Sequence, residues 1–109
     1  MENKEKETEK IVVKISAAPS QNGKRQVVFI LNTSPDKNVY LAGSFNDWEP
    51  DDSPMPYDAD LAGYTLTLEL FPGYYEYKFV INGVWILDES NPNFAANDFG
   101  TLNSVVTIN

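Results

Sequence analysis

The chain of 109 residues carries a formal net charge of −8 at neutral pH and contains neither cysteine nor histidine. Their absence excludes disulfide bonds, cysteine-based metal sites and hydrolases built on a Ser/His or Cys/His pair. The acidic balance disfavours nucleic acids and anionic membrane surfaces as partners, and no apolar stretch is long enough to span a bilayer. Hydrophobic residues make up 42% of the chain, which is typical of a globular protein.

The charge is distributed unevenly along the sequence. Residues 1–35 carry six basic and four acidic side chains, whereas residues 36–109 carry two basic and twelve acidic ones. Lys78 is the only basic residue after Lys37. A single cation in so acidic a segment suggests a specific role, and Lys78 is therefore a candidate functional residue.

Residues 1–10 alternate Glu and Lys, so we expect a disordered charged tail followed by a single domain over residues 11–109. The tail lacks the apolar segment of a signal peptide, and we expect a cytoplasmic protein. Turn signals separate seven segments with strand-like composition or alternation. In chain order they are Ile11–Ala17, Gln26–Asn32, Asn38–Gly43, Gly63–Leu70, Tyr74–Ile81, Val84–Leu87 and Leu102–Ile108.

Alternation within these segments predicts which side chains share a face. Gln26–Asn32 is apolar on both faces, as is typical of a central strand. In the segment Tyr74–Ile81, one face carries Tyr75, Tyr77, Phe79 and Ile81, and the other carries Tyr74, Glu76, Lys78 and Val80. Short strands at regular intervals, without helical periodicity, predict an all-β antiparallel sandwich of about seven strands.

Both tryptophans lie beside turn signals. Trp48 ends the run Gly43–Trp48, and Trp85 follows Asn82-Gly83, the strongest short hairpin signal in the sequence. Small sandwiches often bury a tryptophan, so either indole could belong to the core. Next to a turn, however, an indole is more often partly exposed, and its flat face suits the apolar face of a sugar ring. We therefore predict two stacking platforms for a carbohydrate.

The predicted hairpin places Lys78 and Trp85 on adjacent strands. On the outward face Lys78 either pairs with Glu76 or Glu69, as an ordinary surface lysine would, or donates hydrogen bonds to sugar hydroxyls. In the second case two polar side chains near the end of the chain would supply further hydrogen bonds, namely Thr101 and Asn103.

Carboxylates are abundant after residue 46. A pair of carboxylates can hydrolyse glycosides, but this chemistry needs a deep cleft and a raised pKa on one carboxyl group, for which so small a sandwich has little room. The run Asp47–Asp60 lacks the spacing of a calcium-binding loop. We therefore expect a plain acidic loop, with no metal site, no cofactor and no catalysis.

Four ordered motifs from Val39 onward resemble those of carbohydrate-binding module family 48, which includes the glycogen-binding domain of the AMP-activated kinase β-subunit. The motifs are Val39–Trp48, Tyr77–Phe79, Asn82–Trp85 and Gly100–Val106. The resemblance covers roughly residues 24–109. It implies an early-set, immunoglobulin-like sandwich and an α-1,4-linked glucan as the ligand.

The resemblance also implies roles for individual residues. The two platform tryptophans of the kinase-type site match Trp48 and Trp85, and the hydrogen-bonding lysine matches Lys78. The threonine and asparagine of the final loop match Thr101 and Asn103.

One site position departs from the family pattern. Kinase domains usually carry a leucine that inserts into the glucan ring, and the matching residue here is Phe99, whose larger ring can change the preferred chain length or curvature. The segment Ile11–Ala17 lies outside the matched part and is either an extra edge strand or a linker. Many family members attached to enzymes have lost the sugar site, but the retained tryptophans, lysine and asparagine favour an intact site.

The expected function is that of a non-catalytic module that binds glycogen, starch or maltooligosaccharide, with a partner enzyme or subunit as a second expected partner. One alternative is a protein-interaction or scaffold domain with an unused sugar site, which predicts a large exposed apolar patch away from the tryptophans. Another is an accessory domain of a larger amylolytic enzyme.

Overall fold

The computed structural model describes residues 12–109, which form two antiparallel sheets. Two short 3₁₀ helices, Ser44–Asn46 and Pro50–Asp52, follow the third strand. The strands of this part of the chain are β1 Val12–Pro19, β2 Arg25–Asn32, β3 Val39–Gly43, β4 Tyr57–Asp58, β5 Gly63–Leu70, β6 Gly73–Ile81, β7 Val84–Ile86, β8 Phe94–Ala96 and β9 Leu102–Ile108.

The first sheet has the strand order β1–β2–β5–β4, and the second has the order β3–β6–β9–β8 with β7 also paired to β6. β3 and β7 both pair with the C-terminal half of β6, so they lie on opposite sides of it. The predicted all-β antiparallel sandwich is confirmed. Residues 12–109 contain nine strands, however, and not the expected seven or so.

The two additional strands are β4 and β8, with two and three residues. Strands this short cannot show recognisable alternation, which explains why the sequence pattern missed them. The sequence left the segment Ile11–Ala17 open as either an edge strand or a linker. Its described residues belong to β1, which pairs with β2 along its whole length and is an edge strand. The predicted tail over residues 1–10, and Ile11, lie outside the described residues.

The core lies between the two sheets and is centred on β2 and β6. Val27, Phe29 and Leu31 of β2 are completely buried, which agrees with the central position expected for this strand. The ring of Phe29 meets the ring of Tyr77 edge-on at a centroid distance of 5.6 Å and so joins the two sheets. Each such large side chain contributes about 1.5–3 kcal/mol when fully buried.

Alternation along β6 divides its side chains as predicted. Tyr77, Phe79 and Ile81 belong to the buried core. Glu76 and Lys78 are on the opposite, outward face. β6 continues into β7 through Asn82 and Gly83, both with positive φ (52° and 82°), as a two-residue hairpin turn requires. The hairpin predicted from the sequence is therefore confirmed.

A buried polar network fixes the chain between β7 and β8. The Tyr77 hydroxyl donates to Asp88 Oδ2 at 2.6 Å, and the Asp88 backbone N–H donates to Ser104 Oγ at 2.9 Å. The Asn91 amide donates both to the Tyr77 hydroxyl and to the Val105 carbonyl. Burial and the hydrogen bond to Asp88 raise the pKa of Tyr77 far above its usual range. The network ties this connection to β6 and β9.

Candidate functional site

A groove of about 820 Å³ lies on the outward face of the second sheet. It is lined by all of the residues that the sequence and the family resemblance singled out: Trp48, Lys78, Trp85, Phe99, Thr101 and Asn103. Six further residues also line it, namely Ser44, Tyr74, Glu76, Ala96, Asn97 and Asp98. The structure therefore brings residues from four separate parts of the sequence to one surface.

The loop that presents Trp48 begins at Gly43, the last residue of β3. A Cβ at Gly43 would lie 2.5 Å from the Glu76 carbonyl oxygen, so only glycine fits. The Asn46 amide nitrogen donates to the Leu41 carbonyl and to Ser53 Oγ, and its oxygen accepts from the Gly43 N–H. Asn46 thus ties the loop to β3 and to Ser53.

Trp48 itself has a strained backbone. Its φ is +59°, and the preceding Asp47 has a φ of +55°. The left-handed region costs about 1–3 kcal/mol for a bulky residue and persists only where the surroundings enforce it. Here the Trp48 N–H donates to the Gly43 carbonyl at 2.9 Å, which closes the loop. The strain accompanies a half-buried indole that lines the groove rather than entering the core.

Trp85 reaches the groove from the other side of β6. It lies on β7 directly opposite Val80 and is 47% exposed. Because β3 and β7 flank β6 on opposite sides, the loop carrying Trp48 and the strand carrying Trp85 approach the groove from opposite directions. Neither tryptophan is a buried core residue, so the reading of both as core is wrong.

Lys78 is partly buried on β6, between the loop that carries Trp48 and the strand β7 that carries Trp85. Its ammonium Nζ donates to Thr101 Oγ1 at 3.2 Å. The partner of Lys78 is therefore Thr101, and not Glu76 or Glu69, which the sequence had left open as partners. The contact ties the floor of the groove to the loop between β8 and β9.

Asn97 organises that loop, and the sequence analysis did not identify it. Its amide nitrogen donates to Thr101 Oγ1 at 2.8 Å and to Asn103 Oδ1 at 2.9 Å. Its amide oxygen accepts the backbone N–H groups of Phe99 and Thr101 at 2.9 and 3.1 Å. These four hydrogen bonds present Phe99, which is 89% exposed, at the tip of the loop. Asn followed by Asp is typical of a turn, and the pair Asn97-Asp98 is the signal that could have revealed it.

Asn103 lies at the floor of the groove and is only 7% exposed. Its amide nitrogen donates to Glu76 Oε1 at 2.9 Å, while its oxygen receives the bond from Asn97. Glu76 Oε2 in turn accepts the Tyr74 hydroxyl at 3.1 Å. Partial desolvation, this hydrogen bond and the Glu76 charge raise the pKa of Tyr74 above its ordinary value.

The groove therefore combines flat aromatic faces with a connected set of polar groups. Lys78 and the two indole N–H groups can only donate hydrogen bonds, whereas the carboxylates of Glu76 and Asp98 can only accept them when ionised. Among residues 12–109 no cluster of three His, Cys, Asp or Glu side chains is placed to bind a metal ion. In the same range no helix is long and apolar enough to cross a membrane.

Comparison with known proteins places the chain in a family. The sequence model of the family described as the glycogen recognition site of AMP-activated protein kinase matches residues 25–109. The 5'-AMP-activated protein kinase subunit beta-1 of Sus scrofa is 34% identical over 76 residues, covering 70% of this chain and 58% of that sequence. The Homo sapiens subunit beta-1 has the same identity over the same length, which covers 26% of it.

A plant protein is related to a similar degree. Protein FLOURY ENDOSPERM 6, chloroplastic, of Oryza sativa subsp. japonica is 34% identical over 84 residues, covering 76% of this chain and 15% of that protein. The matched region thus spans 58% or less of the length of each of these relatives. Since the family model matches most of this sequence, the chain belongs to the family of glycogen recognition domains of AMP-activated protein kinase.

Proposed function

We propose that residues 11–109 act as a non-catalytic module that binds α-1,4-linked glucans such as glycogen, starch or maltooligosaccharides. The observation that carries this proposal is the shared groove, because residues far apart in sequence line it together with two tryptophans. Membership of a glycogen recognition family supports a glycan as the ligand class. No cofactor has a role in this function.

The roles follow from the chemistry of each side chain. Trp48 and Trp85 stack on the apolar faces of glucose rings. Lys78 donates to sugar hydroxyls, and Thr101 assists from the neighbouring loop. The exposed ring of Phe99 packs against the edge of the glucan.

Asn103 requires a more specific role, because both ends of its amide already have partners. An amide has two N–H donors and a carbonyl oxygen with two lone pairs. We propose that Asn103 uses its second N–H or lone pair to meet a sugar hydroxyl from the floor of the groove, while Asn97 and Glu76 fix its orientation.

The expected affinity is modest. Covering roughly 100 Å² of apolar surface on each stacked indole contributes about 2–3 kcal/mol at ~25 cal/mol/Å². The loss of rigid-body freedom offsets much of this gain. Hydrogen bonds add about 1 kcal/mol each, so the net dissociation constant falls between roughly micromolar and millimolar. Such an affinity suits a module that tethers a protein to a polymer with many equivalent sites.

A titration with maltoheptaose, followed by tryptophan fluorescence, tests the proposal. We expect a saturable change in emission between micromolar and millimolar sugar. Cellohexaose, which has β-1,4 linkages, serves as the control and should give a much weaker response. A folded protein that does not respond to millimolar maltoheptaose would overturn the proposal.

Tethering implies a second protein that benefits from it. The animal relatives are named as subunits of a protein kinase, and we propose a partner enzyme or subunit for this chain as well. We also propose the cytoplasm as its compartment, although the rice relative is named as chloroplastic. A pull-down from cell extract with and without added maltodextrin would identify a partner and show whether glucan binding alters it.

A further inference from the structure

The groove extends beyond the residues matched to the family site. Tyr74, Glu76 and Lys78 alternate along β6 on the face that carries the groove, and Trp85 lies opposite the next residue on that face, Val80. From position 74 to position 80 a strand advances about 20 Å at ~3.3 Å per residue. On β6 itself only Lys78 is matched to the family site, and Tyr74 lies four residues, or about 13 Å, before it on the same face.

The Tyr74 side chain is exposed and oriented at the same time. It is 57% exposed, and its hydroxyl is held by Glu76 Oε2 at 3.1 Å. A tyrosine has only two side-chain torsions, so a tethered ring offers apolar surface with little further loss of conformational entropy. An exposed aromatic ring in a sugar groove is suited to the same kind of stacking as the tryptophans.

Glu76 supplies hydrogen-bond acceptors next to this ring. A carboxylate has about four lone-pair sites, and one contact to each oxygen is made here, by Asn103 and by Tyr74. The remaining lone pairs can accept sugar hydroxyls. This acceptor complements the nearby Lys78 and indole groups, which only donate.

On the basis of the proposed glucan-binding function, we propose an additional sugar subsite at the N-terminal end of β6. In this subsite the Tyr74 ring packs on a glucose unit and Glu76 accepts that unit's hydroxyls. The module consequently prefers longer α-1,4-glucan chains, because only a longer chain reaches Trp85 and Tyr74 at once.

The test compares dissociation constants for maltotriose and maltoheptaose, measured by NMR titration of the full chain. The Tyr74→Ala variant should reduce the preference for maltoheptaose over maltotriose by about five- to tenfold. Tyr74→Phe, which retains the ring, should preserve most of the preference. Phe71→Ala is a matched control, since Phe71 is 55% exposed but does not line the groove; it should leave the preference unchanged.

The outcomes separate the two proposals. If the wild-type protein binds both sugars and Tyr74→Ala shows the wild-type preference, the subsite is wrong while the glucan-binding function stands. If Tyr74→Ala weakens the binding of both sugars by the same factor, the proposal of an additional subsite is likewise wrong. If the wild-type protein binds neither sugar, the glucan-binding function fails and the subsite fails with it.

Discussion

The side-chain amide of Asn97 donates a 2.9 Å hydrogen bond to Oδ1 of Asn103, and thereby joins the loop between β8 and β9 to the floor of the groove. The same amide makes two hydrogen bonds with Thr101. Its nitrogen donates to Thr101 Oγ1, and its oxygen accepts the Thr101 backbone N–H. The geometry of this side of the groove therefore depends on a residue that need not touch the sugar.

The Asn97→Ala variant should lose sugar affinity without losing the fold. It removes four hydrogen bonds from the loop, and we expect binding of maltoheptaose to weaken by about 1–2 kcal/mol, or roughly five- to thirtyfold. Isothermal titration calorimetry measures the change. Asn93→Ala is the matched control, because Asn93 is exposed and does not line the groove. Equal affinities for the two variants would contradict a positioning role for Asn97.

The Trp85→Ala variant separates a binding platform from a core residue. The indole is 47% exposed, so we expect a loss of about 2 kcal/mol in sugar binding together with a cooperative unfolding transition close to that of the wild type. Val84→Ala, at a neighbouring position that is 59% exposed and outside the groove, should change neither quantity. Unfolding of Trp85→Ala at room temperature would show that the indole supports the core instead.

Gly43→Ala should destabilise the fold through the loop that carries Trp48. The new Cβ would lie 2.5 Å from a backbone oxygen of Glu76 and 2.7 Å from the Phe45 ring. Relieving such a clash costs about 1–3 kcal/mol, and we expect chemical denaturation to show that loss. At Gly73 the nearest atom to an added Cβ is 3.8 Å away, so Gly73→Ala should have little effect. Comparable losses of stability in Gly43→Ala and Gly73→Ala would contradict a specific close contact at Gly43.

Because the pKa of Tyr77 is raised, the free energy of unfolding should change with pH in the alkaline range. Below the ordinary tyrosine pKa of about 10 the phenol is protonated in both the folded and the unfolded chain, and its contribution is fully present. Above that pH the unfolded chain releases the proton while burial and Asp88 keep it on the folded chain. The free energy of unfolding should therefore fall by up to about 1.4 kcal/mol per pH unit from this group.

The Tyr77→Phe variant tests this linkage. It should be less stable than the wild type at pH 7, because buried Asp88 loses a hydrogen-bond donor. Between pH 10 and 11.5 its stability should fall less steeply than that of the wild type, since one titrating group is gone. Urea denaturation at several pH values provides the comparison, and parallel pH dependences would contradict the assignment.

Much of the sandwich could be predicted because its main strands obey simple alternation. The pattern along β6 placed Tyr77 and Phe79 inward and Lys78 outward, and the Asn82-Gly83 turn placed Trp85 on the adjacent strand. These features depend on neighbours in sequence or on the next strand, which is the range over which alternation and turn preferences carry information.

The remainder depends on contacts that no local pattern encodes. The residues of β8 are too few to alternate, and the role of Asn97 depends on Asn103 across a tight turn. Glu76 and Tyr74 shared the predicted outward face with Lys78, but only the folded sheet shows that the groove continues to them. The direction of the Trp48 side chain follows from a positive φ enforced by the surrounding loop.

The most direct test of a single sugar site with two tryptophan walls is the NMR titration of both indole Nε1–H signals with maltoheptaose. The shared groove predicts that the Trp48 and Trp85 signals shift together and give the same dissociation constant. A shift of only one indole signal, or two signals with clearly different dissociation constants, would contradict a single site.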